Sequence, residues 1–202
     1  MPMTDISVYI VDDDDAVRDS LLELLESVDV KGIAFASGAE FMEAATSETR
    51  GVLILDIRMP GMSGLELQKA LNGSGINIPI IFITGHGDVP MAVEAMKGGA
   101  VEFLQKPFRD QELLDCIQSV LSRLETELSE ATSNRQTEEL LCTLTPREKQ
   151  VLDFIVDGKP NKLIAHELSI SQRTVENHRA NLLHKMGARN TADLVRMVST
   201  GP

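Results

Sequence analysis

The stretch Val52-Leu53-Ile54-Leu55-Asp56-Ile57-Arg58-Met59-Pro60-Gly61 decides how this chain is read. An apolar run without alternation suits a strand covered on both faces, as in a parallel sheet. The carboxylate stands at its end, and the Pro-Gly pair closes the run. Working outward, similar short runs occupy residues 6–11, 33–36, 78–83 and 101–104. Helix-period segments lie between them. Val17, Leu21, Leu24 and Leu25 share one face. Phe41, Ala44 and Ala45 share another, behind a capping box of Ser37 with Glu40. Leu65, Leu67 and Leu71 follow Ser63, and Val93 and Met96 follow Asp88 and Pro90, with Gly98-Gly99 as the stop. Five strands alternating with helices predict a doubly wound (βα)5 domain of the α/β class over residues 1–120.

Ligands of such sheets bind at the carboxyl ends of the strands. Asp12 and Asp13 end the first strand, Asp56 the third, Thr84 the fourth, and Lys106-Pro107 follows the fifth. Taken singly these are ordinary: an acidic helix cap, a turn aspartate, a strand-end Lys-Pro. Four strand ends carrying them together are not. Three converging carboxylates repel unless a cation lies between them, and hard oxygen donors favour Mg²⁺, or Mn²⁺, which also holds phosphate. A lysine and a hydroxyl can take further phosphate oxygens. The set predicts phosphoryl transfer with Asp56 as carboxylate nucleophile.

The 202 residues carry a net charge of −12, which argues against a nucleic-acid binder until its distribution is read. Residues 1–120 hold 20 acidic and 8 basic side chains, a balance of −12; residues 143–202 hold 6 and 9, a balance of +3. An acidic body thus carries a basic tail. No apolar run reaches the ~20 residues that span a bilayer. Residues 1–5 lack the basic and apolar pattern of a secretory signal. Cys116 and Cys142 stand alone, as small thiols of a reducing cytoplasm do.

Between body and tail, residues 121–142 read as a linker helix and linker. Leu114, Ile117, Leu121, Leu124 and Leu128 are spaced as an a/d seam, and polar residues 129–139 are placed as the linker proper. Residues 143–202 read as four helices. Thr145 caps the first, with Pro146 and Glu148 inside it and Val151, Leu152, Ile155 and Val156 as its stripe. Asn161 caps the second, Ser171 the third, with Val175, Leu182, Leu183 and Met186 inward, and Thr191 the last. A short helix, a tight turn and a longer helix is the helix-turn-helix pattern, whose second helix enters the major groove. Glu176 and Asn177 can read bases, and Lys162, Arg173, Arg179 and Lys185 suit phosphates.

These motifs resemble a known family. Val11-Asp12-Asp13-Asp14, Asp56 with Met59-Pro60-Gly61, Thr84-Gly85-His86-Gly87-Asp88 and Lys106-Pro107-Phe108 look like the receiver of a NarL/FixJ-type response regulator, closest to the FixJ branch. Leu144-Thr145-Pro146-Arg147-Glu148, Asn161-Lys162 with Ile164-Ala165, and Thr174-Val175-Glu176-Asn177-His178 look like a LuxR-type helix-turn-helix. The resemblance implies a flavodoxin-like receiver in which Asp56 accepts a phosphoryl group from a sensor histidine kinase. It implies Mg²⁺ held by Asp12, Asp13, Asp56 and the Arg58 backbone carbonyl, a phosphate contact from Lys106, and a coupled switch of Thr84 with Phe103. Many receivers carry Tyr where Phe103 stands, so this switch has no phenolic hydrogen bond. Residues 176, 177 and 180 would face bases, with Ala180 offering only apolar contact and Thr174 alongside. Partners so implied are a homodimer when phosphorylated, an operator in double-stranded DNA, and RNA polymerase, with activation the commoner outcome; the protein is not a turnover enzyme. A phosphohydrolase is disfavoured because Ile57 and Arg58, not a second acid, follow Asp56. The alternative is a DNA-binding regulator with a vestigial receiver that ignores phosphorylation. An RNA-binding output would need stacking aromatics, and Phe154 is the tail's only one.

Overall fold

A computed structural model of the chain describes residues 6–85 and 89–199, so His86, Gly87 and Asp88, including the expected Asp88 start of a helix, and the first five residues lie outside it. The chain divides into two compact units, with the division between Glu125 and Thr126. In chain order the first unit runs β1 (Ser7–Val11), α1 (Asp15–Glu26), β2 (Gly32–Phe35), α2 (Gly38–Ala44), β3 (Gly51–Asp56), α3 (Gly64–Ser74), β4 (Ile80–Thr84), α4 (Val89–Lys97), β5 (Glu102–Gln105) and the start of α5 (Asp110–Cys142). The strands form one parallel sheet in the order β2-β1-β3-β4-β5. The non-alternating strands are buried because both faces are covered. Val8, Ile10, Val52, Ile54, Ile81, Ile83 and Leu104 pack under α1 and α5. Val11, Leu53, Leu55 and Phe82 pack under α2, α3 and α4. Position 51 admits only glycine: its φ is +146°, and a Cβ there would stand 1.7 Å from the Ser7 carbonyl oxygen on β1.

The structure moves several sequence expectations. Ser37 does cap α2, accepting from the Glu40 N–H, but the Glu40 carboxylate accepts from Ala36, one residue ahead of the cap, so the box is not closed. Ser63 instead forms the complete box, with Glu66. On α5 the buried stripe is Leu113, Ile117 and Val120, with Leu121 and Leu124 half-buried; the anchor is Leu113 and not Leu114. A seam spaced 3-4 can be extended backward by either residue, and the sheet takes the one that faces it. Leu113→Ala is therefore expected to cost about 3 kcal/mol, and Leu114→Ala under about 1 kcal/mol, by denaturant unfolding. Residues 129–139 are helical and not a loop, since α5 continues to Cys142. They contain no Gly or Pro and are rich in helix formers, so, apart from the buried Thr137, their polarity marks exposure rather than irregular backbone.

The second unit contains α6 (Pro146–Val156), α7 (Asn161–Glu167), α8 (Gln172–Met186) and α9 (Thr191–Ser199). Leu144, Val151, Leu152, Ile155, Ile164, Val175, Leu182, Met186 and Leu194 form its core. Val156 is 40% exposed rather than inward, because α6 ends there. Pro160, not Asn161, occupies the position before α7 and supplies no side-chain cap. Asn190, not Thr191, caps α9 by accepting from the Asp193 N–H. Among the described residues no helix is long and apolar enough to cross a membrane.

Candidate functional site

The sheet brings the strand-end residues to one rim. Asp56 is the last residue of β3, level with Ile83 on β4. Asp12 follows β1 and is 1% exposed, Asp56 is 7% exposed, and Asp13 is exposed. One carboxylate oxygen from each of the three lies within 4.8 Å of the other two. Lys106, just past β5, is the neutralising cation: its Nζ donates to Asp12 Oδ2 at 2.7 Å and lies 3.8 Å from Asp56 Oδ1. Its backbone N–H donates to the Thr84 carbonyl at 2.8 Å, which ties the ends of β4 and β5 together.

The two buried carboxylates are each further fixed by a backbone amide. Asp12 Oδ1 accepts from the Asp14 N–H at 3.0 Å, and Asp56 Oδ2 accepts from the Arg58 N–H at 3.0 Å. Burial pushes the Asp56 carboxyl above the ordinary carboxylate range; Lys106 pulls it back, Asp12 and Asp13 push it up again, and the Arg58 amide opposes them. One lysine thus stands against three crowded carboxylates, two of them buried. This donor set fits a hard divalent cation: oxygen ligands only, excess negative charge, and one exposed edge at Asp13.

Thr84 is 1% exposed at the end of β4. Phe82 is level with Phe103, and Thr84 with Gln105. By strand alternation Thr84 and Phe103 therefore share the sheet face that packs on α3 and α4, and Phe103 is half-buried against that core. The structure thus puts both expected switch residues on one face, two positions apart.

In the tail unit, Lys162, Arg173, Glu176, Asn177 and Ala180 are exposed. The others are engaged. The Ser171 hydroxyl accepts from the Thr174 N–H and lies 2.8 Å from the Thr174 hydroxyl, which caps α8. Arg179 Nη2 donates to the Thr191 hydroxyl, tying α8 to α9. Lys185 Nζ donates to the buried Glu148 carboxylate at 2.7 Å, so its charge is already matched within the domain.

Two supporting residues escape a reading by motif. Arg18 Nη1 donates to the Asp12 backbone carbonyl at 2.7 Å, and its other nitrogen pairs with Asp15. The i, i+3 spacing with Asp15 is visible in sequence, but the reach back to Asp12 is not. Gly64 opens α3 against the end of β3: a Cβ there would come within 2.3 Å of the Asp56 carbonyl oxygen.

Comparison with known proteins agrees with this geometry. Residues 8–118 match the response regulator receiver domain family, and residues 142–198 match the luxR family of bacterial regulatory proteins. The chain is 47% identical over 199 residues to the transcriptional regulatory protein FixJ of Rhizobium meliloti, covering 98% of each. It is 45% identical over 193 residues to nodulation protein W of Bradyrhizobium diazoefficiens, covering 96% of this chain and 85% of that one. The solved structure of the response regulator StyR superposes with a TM-score of 0.79 at 45% identity, covering 96% of this chain and 98% of StyR. The chain therefore belongs to the response regulators that join a receiver domain to a LuxR-type DNA-binding domain, phosphorylation-controlled regulators of transcription.

Proposed function

We propose that Asp56 is the phosphoacceptor, taking a phosphoryl group from the phosphohistidine of a sensor kinase, and that this controls DNA binding by α8. The carrying observation is the rim on which Lys106 bridges Asp12 and Asp56. In the transfer the bond from phosphorus to the kinase histidine breaks as an Asp56 oxygen bonds to phosphorus, and histidine leaves as neutral imidazole after taking a proton. Lys106 is placed to shift from Asp12 toward the new phosphate oxygens, and the Thr84 hydroxyl to donate to one of them. Asp12, Asp13, Asp56 and the Arg58 carbonyl would hold Mg²⁺ or Mn²⁺, which when bound offsets their charge and that of the entering phosphoryl group. Thr84 drawn toward the phosphate leaves space that Phe103 fills by packing alone.

In this reading residues 1–120 are the receiver, 121–142 the connecting segment and 143–202 the DNA-binding domain. The protein works in the cytoplasm. It is not a turnover enzyme, and it binds operators as a phosphorylated homodimer, most simply as an activator acting on RNA polymerase. Two half-sites supply the affinity that one helix on a domain of charge +3 lacks. Full-length protein given Mg²⁺ and acetyl phosphate is expected to gain one phosphoryl mass, and none when a chelator is present. Continuous release of phosphate from small phosphoesters, without a phosphorylated chain, would contradict it.

On the DNA side, Glu176, Asn177 and Ala180 are placed to face bases, while Lys162 and Arg173 are placed for phosphates. Lys162→Ala is expected to weaken binding evenly across sequences and to lower the salt slope by about 1. Lys185→Ala is expected to change that slope much less, because its charge is held by Glu148.

A further inference from the structure

The reading unit of the tail is held at both ends by two neighbouring residues in the first turn of α6. At one end, Glu148 accepts from Lys185 in the last turn of α8. At the other, Arg147 Nη2 donates to the Leu168 carbonyl at 2.6 Å, while its Nη1 donates to Gln150 Oε1 at 2.8 Å. Leu168 closes α7 and begins the turn into α8. Its carbonyl is one of those that a helix end leaves without an intrahelical donor.

That turn sets the angle between α7 and α8; the Ser169 N–H to the His166 carbonyl and the Ile170 N–H to that of Ala165 close it locally, but around a non-glycine residue in an unfavourable conformation. Ser169 sits in the left-handed region at φ +53°, a conformation that costs a non-glycine residue free energy. The Ile170 N–H bonds back to Ala165, and Ile170 packs on the core. The Arg147 guanidinium crosses from another helix to the turn's own carbonyl, 21 positions away in sequence. Arg147 is half-buried, which makes this contact more than a surface pair.

We propose that Arg147 is a positioning residue for sequence recognition: it fixes the α7–α8 turn, and through it the angle at which α8 meets the groove. The proposal rests on α8 being the reading helix. Base contacts depend on the angle and register of that helix, whereas phosphate contacts by flexible lysines tolerate small rotations. Loosening the turn should therefore degrade discrimination before it degrades general affinity. A direct phosphate contact would behave in the opposite way.

The test uses the full-length, acetyl-phosphate-treated protein and two duplexes of equal length. One is selected by the wild type from a random pool, and the other is its scrambled counterpart. Arg147→Ala is expected to lower the affinity ratio between the two roughly tenfold, by loss of one charge-assisted hydrogen bond's worth of orientation, with affinity for the scrambled duplex and the salt slope unchanged. Arg147→Gln and Arg147→Lys, each of which keeps a donor for the Leu168 carbonyl, should restore most of the ratio. If the alanine variant fails to fold, Arg147→Met, which keeps the apolar stem and lacks the donor, is expected to show the same loss of ratio. An unchanged ratio in folded Arg147→Ala, with the wild type discriminating, would overturn the proposal alone. Equal losses on both duplexes with a slope lowered by about 1 would overturn it in favour of a phosphate contact. A wild type that selects no preferred duplex would overturn the reading of α8 itself, and the proposal with it.

Discussion

Asp56→Asn is expected to take up no phosphoryl group from acetyl phosphate or from a kinase, while folding as well as the native chain. The amide has the shape of the carboxylate and can still accept from the Arg58 N–H, the bond that orients Oδ2 at 3.0 Å. It is not a nucleophile toward phosphorus at neutral pH. Folding should not suffer, because burial and the neighbouring Asp12 and Asp13 make the Asp56 charge costly where it stands. Thermal unfolding of the variant is accordingly expected at or above the native midpoint. Intact mass read with and without donor measures the first claim directly, and persistent uptake of one phosphoryl group would place the acceptor elsewhere.

Glu148→Ala is expected to have the largest effect on the tail unit, a loss of about 3 kcal/mol, since the carboxylate serves three donors at once. Its Oε2 accepts from the Thr145 N–H at 2.8 Å, the Thr145 hydroxyl at 3.0 Å and Lys185 Nζ at 2.7 Å. Truncation opens the cap of α6 and strands the half-buried Lys185 charge. These partners, Lys185 first, hold the Glu148 carboxyl down to about 2, against 4.5 for an ordinary glutamate. A lowered pKa means that the folded state favours the ionised form. The stability it supplies is complete above about 4.5 and is lost as pH falls through about 2. With solvent screening at the Lys185 end, the pH-dependent share is on the order of 2 kcal/mol. Protection factors of the amides along α6 and α8 should fall as pH drops between those values in the native chain and be insensitive to pH there in Glu148→Ala. Glu148→Gln, which keeps the cap acceptor but not the charge, should be as insensitive to pH as Glu148→Ala and lie between it and the native chain in stability.

How far the sequence was legible follows from which contacts are local. Strands β1, β3 and β4 are readable because burial on both faces leaves unbroken apolar runs, and the rim residues because strand ends of a parallel sheet converge. The Thr145 capping box is readable because its partners are three residues apart. What escapes is set at long range. The choice of Leu113 over Leu114 depends on how α5 lies on the sheet. The engagement of Lys185 by Glu148, across 37 positions, ties α8 to α6 in a way that the motif does not show. Arg18 reaching the Asp12 carbonyl and Arg147 reaching that of Leu168 involve backbone acceptors, which carry no residue-type signal. Polarity in residues 129–139 reads equally as loop or as exposed helix, and the structure chooses helix.

In the proposed function, phosphorylation at Asp56 governs DNA binding by the tail. The measurement that tests it most directly is the affinity of the full-length protein for a duplex it selects, with and without acetyl phosphate, at fixed salt, beside the same titration of Asp56→Asn. Binding by the treated native chain should tighten about tenfold or more, with no response in the variant. Equal affinity in all four titrations would contradict it and leave a DNA-binding regulator whose receiver does not gate it.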